Sequence, residues 1–299
     1  MTTLLDRTAE ALHRGAESVV AEPPGSGEGF WAGAPSVVYE EGVFWLAYRL
    51  RRPVDQGRGY ANVVARSDDG LHFTVVTTLL NSSFIRSASL ERPALVRRDD
   101  GGWRLYVSCS SRGSKHWWVE AVDADTPEQL GEGVRTVVLA GDLETAWKDV
   151  VVTRDGAGWQ MWACRHLLDQ GEANADRMQS WYLTSADGLE WQAGHAALLP
   201  RPGEWDARGA RITSVLRLDG QWVAYYDGRA TADQNWHELT GIALGSGPDA
   251  FTAHAGPIDR NGRTLRYVSV ASVPDGLRFF YEVARADGAN DLRTTFVPF

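Results

Sequence analysis

"RPALVRRDDGGWRLYVSCS", residues 92 to 110, reads as two strands joined by a turn. The apolar run from Ala94 to Val96 ends at Asp99-Asp100-Gly101-Gly102, residues that tolerate the left-handed backbone of a tight hairpin turn. Beyond the turn, Trp103, Leu105 and Val107 alternate with Arg104, Tyr106 and Ser108, the period of an extended strand. The same unit returns as "APSVVYEEGVFWLAYRL" from Ala34, "KDVVVTRDGAGWQMWACRH" from Lys148, "RITSVLRLDGQWVAYYDGR" from Arg211 and "RYVSVASVPDGLRFFYEVAR" from Arg266, at spacings near 55 to 63 residues.

Further strands can be read after the pairs, as in "YANVVARSDDGLHFTVV" from Tyr60 and "SWYLTSADGLEWQAG" from Ser180. Both contain a Ser-x-Asp-Gly-x-x-aromatic turn, Ser67 to Phe73 and Ser185 to Trp191. Four strands per unit and five units predict an all-β fold, a five-bladed β-propeller of four-stranded blades over residues 28–299. Residues 1–27 stand outside the repeat: Leu5, Ala9, Leu12 and Ala16 predict a short N-terminal helix, capped by Thr2 or Thr3, before the linker "EPPGSGEG".

Composition narrows the partners. The net charge is -9 and the pI near 5.3, which argues against nucleic acid or an anionic membrane surface as the main partner. No run of about 18 apolar residues and no signal-like start is present, so a cytoplasmic location is expected. Cys109 and Cys164 form no disulfide framework and are expected as small buried hydrophobes. The dispersed His residues form no metal motif and no Gly-rich phosphate loop occurs, so no cofactor is called for; an axial calcium ion is left open.

In a propeller, the first strand of each blade starts beside the central axis, and the loop joining second and third strands returns to that face. The strand starts are Gly33-Ala34, Glu91-Arg92, Lys148-Asp149, Arg211 with Asp206 and Arg208 upstream, and Arg266. Return loops add Arg49, Arg51 and Arg58, then Lys115, then Arg165 and His166, then Arg229, and lastly Trp236 and His237. Carboxylates facing each other across a funnel suit paired acid and base chemistry. Salt bridges around the axis are the alternative for Glu91, Arg92, Lys148 and Asp149. The excess of Arg and Lys predicts a ligand with an anionic group, solvated loop arginines being the plainer alternative.

These residues resemble the five-bladed propeller glycosidases: the arabinanase and β-xylosidase families, the invertase and levanase families and the related mannoside phosphorylases. Lys148-Asp149-Val150 resembles the third-blade Arg-Asp-Pro stretch of the invertase type, whose Asp steadies the transition state or tunes the acid. Glu91-Arg92-Pro93 has the Glu-x-Pro spacing of the general acid, although that acid belongs to the fourth blade and Glu91 falls in the second. The first-blade Asp is replaced by Gly33-Ala34.

The resemblance implies a glycosidase-like carbohydrate-active protein that binds or hydrolyses a glycoside in the axial funnel. Glu91 would be the acid, Asp149 the stabiliser or base and Asp206 or Glu204 the reserve carboxylate. Arg92, Arg208, Arg211 and Arg229 would orient a small carbohydrate, with Lys148, Arg165, His166 and His237 also on the binding face. Two alternatives stand beside it: phosphorolysis, with phosphate held by the arginines, and a diverged, non-catalytic binder.

Overall fold

The computed structural model describes residues 2–156 and 158–299. Its strands pair as five antiparallel units of four. Unit 1 comprises Trp31–Glu40, Val43–Arg51, Gly59–Ser67 and Thr74–Leu80. Unit 2 comprises Ser87–Arg97, Trp103–Ser111, Trp117–Ala124 and Val134–Leu139. Unit 3 follows with Thr145–Asp155, Gly158–Leu167, Met178–Ser185 and Gln192–Leu198. Unit 4 runs through Gly209–Leu218, Gln221–Arg229, Leu239–Gly247 and Ala250–Ile258.

Unit 5 differs in where its fourth strand comes from. Leu265–Val273, Gly276–Ala284 and Asn290–Pro298 are joined by Ser18–Ala21, which pairs with the C-terminal strand. That strand lies within residues 1–27, where the sequence predicts only a helix and a linker. The helix forms at Leu4–Arg14, capped by Thr3 in a reciprocal box with Asp6. Ala16 falls beyond its end, and Leu12 joins the apolar cluster between units 4 and 5.

Five apolar clusters fill the spaces between successive units: 1 with 2, 2 with 3, 3 with 4, 4 with 5, and 5 with 1. Trp45 packs on Trp103 between units 1 and 2, and Tyr106 meets Trp191 between units 2 and 3. Aromatic area spent in this way stabilises the contacts between units. The Ser-x-Asp-Gly turns form as predicted: Ser67 Oγ accepts from the N–H groups of Asp69 and Gly70, and Ser185 Oγ from those of Asp187 and Gly188. Gly70 and Gly188 take φ of +71° and +73°. Cys109 and Cys164 are buried and unpaired. Among the described residues no helix is long and apolar enough to cross a membrane.

The inner strands share one irregularity. Each shifts register near its start, between Gly33 and Ser36, Leu90 and Pro93, Lys148 and Val151, Ile212 and Ser214, and Arg266 and Ser269. Such bulges re-aim side chains. Ala34, Asp149 and Tyr267, all within these stretches, have φ of +51°, +51° and +55°, a conformation non-glycine residues adopt only under constraint.

Candidate functional site

Two cavities open along the inner strands, at opposite ends. The larger, about 550 Å³, is lined by the later halves of the strands, among them Ser36, Leu95, Val152, Thr213 and Ser269. The smaller, about 100 Å³, is lined by the strand starts and gathers the buried charges. Arg92 belongs to the lining of the larger. Its guanidinium donates to the carbonyl oxygens of Pro35 (3.1 Å), Thr213 (2.6 Å) and Val150 (3.5 Å), tying units 1, 3 and 4 together. These bonds occupy Arg92 on backbone rather than in the smaller cavity, so the substrate-orienting role expected of it has no geometric support there.

Of the residues singled out in the sequence, Glu91, Lys148, His166, Arg211 and Arg266 line the smaller cavity together, with Arg49, Arg51, Arg58, Lys115 and Trp236 from the return loops. Seven basic side chains face it against three acidic ones, Glu91, Asp176 and Glu238. Each acid is already engaged. Glu91 accepts from Arg49 and from Ser89 Oγ (3.0 Å), with Arg58 at 3.6 Å. Burial would push its carboxyl up, but Arg49, Lys148 and Arg58 hold it below the usual carboxylate range. Glu238 accepts from Arg211 and Arg229 and lies 3.4 Å from Arg266. Against burial, those three arginines bring its pKa down to about 2.

Asp149 is fully buried beneath this surface. It takes hydrogen bonds from the Arg92 backbone N–H (3.3 Å), Arg211 (3.2 Å) and the Tyr267 hydroxyl (3.2 Å), with Lys148 Nζ at 3.5 Å. Lys148 and Arg211 outweigh desolvation and keep it well below its ordinary pKa. Asp227, equally buried, accepts from Arg211 (2.9 Å), Thr240 (3.1 Å) and the Tyr267 N–H (3.0 Å). There burial wins over Arg211 and raises the pKa to about 6.

His166 is a neutral imidazole, its pKa driven down to about 3 by burial and by Lys148. Nδ1 lies 3.0 Å from the Ala175 carbonyl oxygen and so carries the proton. Nε2 faces Cys164 Sγ at 3.6 Å, a thiol whose pKa burial pushes up to about 12. This pair therefore supplies neither a cation nor a thiolate.

The remaining predicted residues lie outside the lining. Asp206 is fully buried, bound by Arg201 and by the Tyr226 hydroxyl (2.8 Å). Arg165 bonds Thr145 and stacks on Trp181, Arg208 pairs with Asp176, and Arg229 is committed to Glu238 and Asp176. His237 is exposed on its loop. Trp31, Asp176, Glu238 and Tyr267 belong to the lining without having been singled out. Only Glu238 carried a signal, lying next to the Trp236-His237 stretch of the same return loop. At the first-blade position, Glu282 of unit 5 accepts from the Ala34 N–H (3.0 Å) and pairs with Arg266.

No family model matches the sequence, and no curated protein matches it. Solved structures match throughout. A thermostable family-43 glycoside hydrolase superposes with a TM-score of 0.70 at 13% identity, covering 94% of this chain and 93% of that one. The fold is that of the glycoside-hydrolase propellers. An α-L-arabinofuranosidase from Lactobacillus brevis gives 0.67 at 12% identity, covering 89% of this chain and 90% of that one. A structure from the GH130 family of mannoside phosphorylases, described as containing glycoside hydrolases that target β-1,2 mannosidic linkages in Candida mannan, gives 0.62 at 14%, covering 92% and 85%. The likeness is one of architecture.

Proposed function

We propose that this protein is a glycosidase-like carbohydrate-active protein whose smaller axial cavity binds an anionic glycoside. The observation that carries the reading is the lining itself: seven basic side chains against three carboxylates, all three already in ion pairs. Asp149, Asp227 and Glu282 behind the lining answer part of the excess through Lys148, Arg211 and Arg266, and a negatively charged ligand offsets what is left, whereas a neutral one does not. The propeller fold shared with glycoside hydrolases supports a sugar as the rest of the ligand.

Binding is favoured over hydrolysis. A proton donor needs a carboxyl whose pKa sits near the working pH, and Glu91 and Glu238 are held ionised instead. Asp227 has the raised pKa but is fully buried and does not line the cavity.

Thermal melting against neutral sugars, uronic acids, sugar phosphates and phosphate, with product analysis of each incubation, tests the reading. Stabilisation by anionic sugars without turnover is expected. Stabilisation by neutral sugars alone, or glycoside cleavage abolished by Glu91→Gln, would refute it.

A further inference from the structure

Arg51 is the buried cation of the cavity that no carboxylate pairs with, Glu91 acting on it only at a distance. It is 5% exposed, and among the described residues no hydrogen bond or ion pair reaches its guanidinium. The other buried cations each have one: Arg49 with Glu91, Lys148 with Asp149, Arg211 with Asp149, Asp227 and Glu238, Arg266 with Glu238 and Glu282. Lys115, also in the lining, is exposed and solvated.

What holds Arg51 is aromatic. Its guanidinium carbon lies 3.9 Å from the ring centre of Trp31 and 4.5 Å from that of Trp236, and the two indoles meet at 88° with centres 5.5 Å apart. Such contacts orient a cation but do not neutralise it, and they leave its in-plane N–H groups free for an acceptor. A desolvated charge without a counter-charge is expensive.

We infer that Arg51, fixed in the corner of Trp31 and Trp236, receives the carboxylate of a uronic acid residue and sets the specificity of the cavity. The inference rests on the anionic-glycoside reading and deepens it. The charge count decides between anions: one unanswered buried cation matches the single charge of a carboxylate, while a phosphate monoester brings about -1.5 to -2. A carboxylate also meets the guanidinium fork with two parallel hydrogen bonds.

Calorimetric titration of the full chain and of Arg51→Gln and Arg51→Lys tests it, with methyl glucuronide, methyl galacturonide, their methyl esters, glucose 6-phosphate and inorganic phosphate as probes. A uronate is expected to bind at least about tenfold more tightly than its ester or a phosphate, and to lose about tenfold or more in Arg51→Gln. Arg51→Lys, which keeps the charge but not the fork, is expected to recover only part of the affinity. Both variants, without ligand, are expected to melt no lower than the parent, because an uncompensated buried charge has been removed or made easier to hydrate. Unchanged uronate affinity in Arg51→Gln, preference for a phosphate, or marked loss of stability in both variants would overturn the role of Arg51 while leaving anionic-sugar binding intact. Absence of binding by every anionic sugar would instead overturn the underlying reading.

Discussion

Arg92 Nη2, from the second unit, donates to the carbonyl oxygen of Thr213 in the fourth across 2.6 Å. With its bonds to Pro35 and Val150, this makes one side chain a cross-brace among inner strands that share no ladder. Replacing it with Met keeps much of the volume but leaves these buried carbonyls without that donor. At about 1–3 kcal/mol for a buried group left unsatisfied, Arg92→Met is expected to cost about 3 kcal/mol or more. Urea denaturation followed by fluorescence checks this, and ligand binding by the surviving folded fraction is expected to stay unchanged.

Asp149→Asn is expected to act on stability before chemistry. Asn tolerates the φ of +51° at this position, so the backbone cost is small. The lost charge, however, leaves Arg211 and Lys148 facing a neutral amide in a fully buried place. Breaking a buried pair in this way costs about 3–5 kcal/mol. A denaturation midpoint equal to that of the parent would show that Asp149 is not the anchor described.

The acidic pair beside Arg211 gives a pH signature with two signs. Glu238 titrates near 2 in the folded state and near 4.5 when unfolded, so its contribution is present above 4.5 and is lost as pH falls toward 2. Asp227 titrates near 6 folded and near 3.8 unfolded, so its contribution is present below 3.8 and is lost as pH rises through 6. Denaturation midpoints from pH 3 to 8 are expected to fall less steeply at the acid end in Glu238→Gln. In Asp227→Asn the decline between pH 4 and 6 is expected to flatten. Unaltered slopes in both variants would contradict the assignment.

Gly33 is required by a neighbour. A Cβ there would come within 2.0 Å of Glu282 Oε2, on a side chain that is buried and paired with Arg266. Gly33→Ala is therefore expected to destabilise by about 1–3 kcal/mol, the usual cost of overpacking. Gly33→Asp is expected to be worse, because it sets a second carboxylate against Glu282. Thermal melts of the two variants, with Gly42→Ala as a control whose Cβ would meet open space but whose φ of +83° strains any side chain, separate the clash at Gly33 from backbone strain.

Much of the architecture was readable because its determinants are local. Asp-Gly turns and two-residue alternation mark the hairpins around Asp69-Gly70 and Asp187-Gly188 without knowledge of the rest of the chain. The strand Ser18–Ala21 was not, since four residues whose partner lies more than 270 positions away carry no nearby signal. The axial charges were half legible. Placing Glu91 and Arg92 at a strand start follows from the repeat, but sending one to the small cavity and the other to backbone carbonyls depends on the bulge between Leu90 and Pro93. Tyr267 reads as packing inside "RYVSV", and its turn toward Asp149 depends on a φ of +55° that nothing in a Tyr encodes. Asp176 lies in a loop without periodicity and is picked out only by the arginines that reach it.

The strand Ser18–Ala21 lies against Asn290–Pro298, so the last sheet has its outermost member near one end of the chain and the rest near the other. During synthesis the early segment must wait, undocked, until the strand Asn290–Pro298 has left the ribosome. Until then the strands of units 1 to 4 can assemble, but the seam cannot shut. Arg293, on the late strand, grips Glu17 beside the early one, so the two ends also latch through a charge pair. Ring closure therefore waits for this late strand, and a nascent chain stalled short of Asn290 would expose the flank of unit 1 to chaperones or to other open rings.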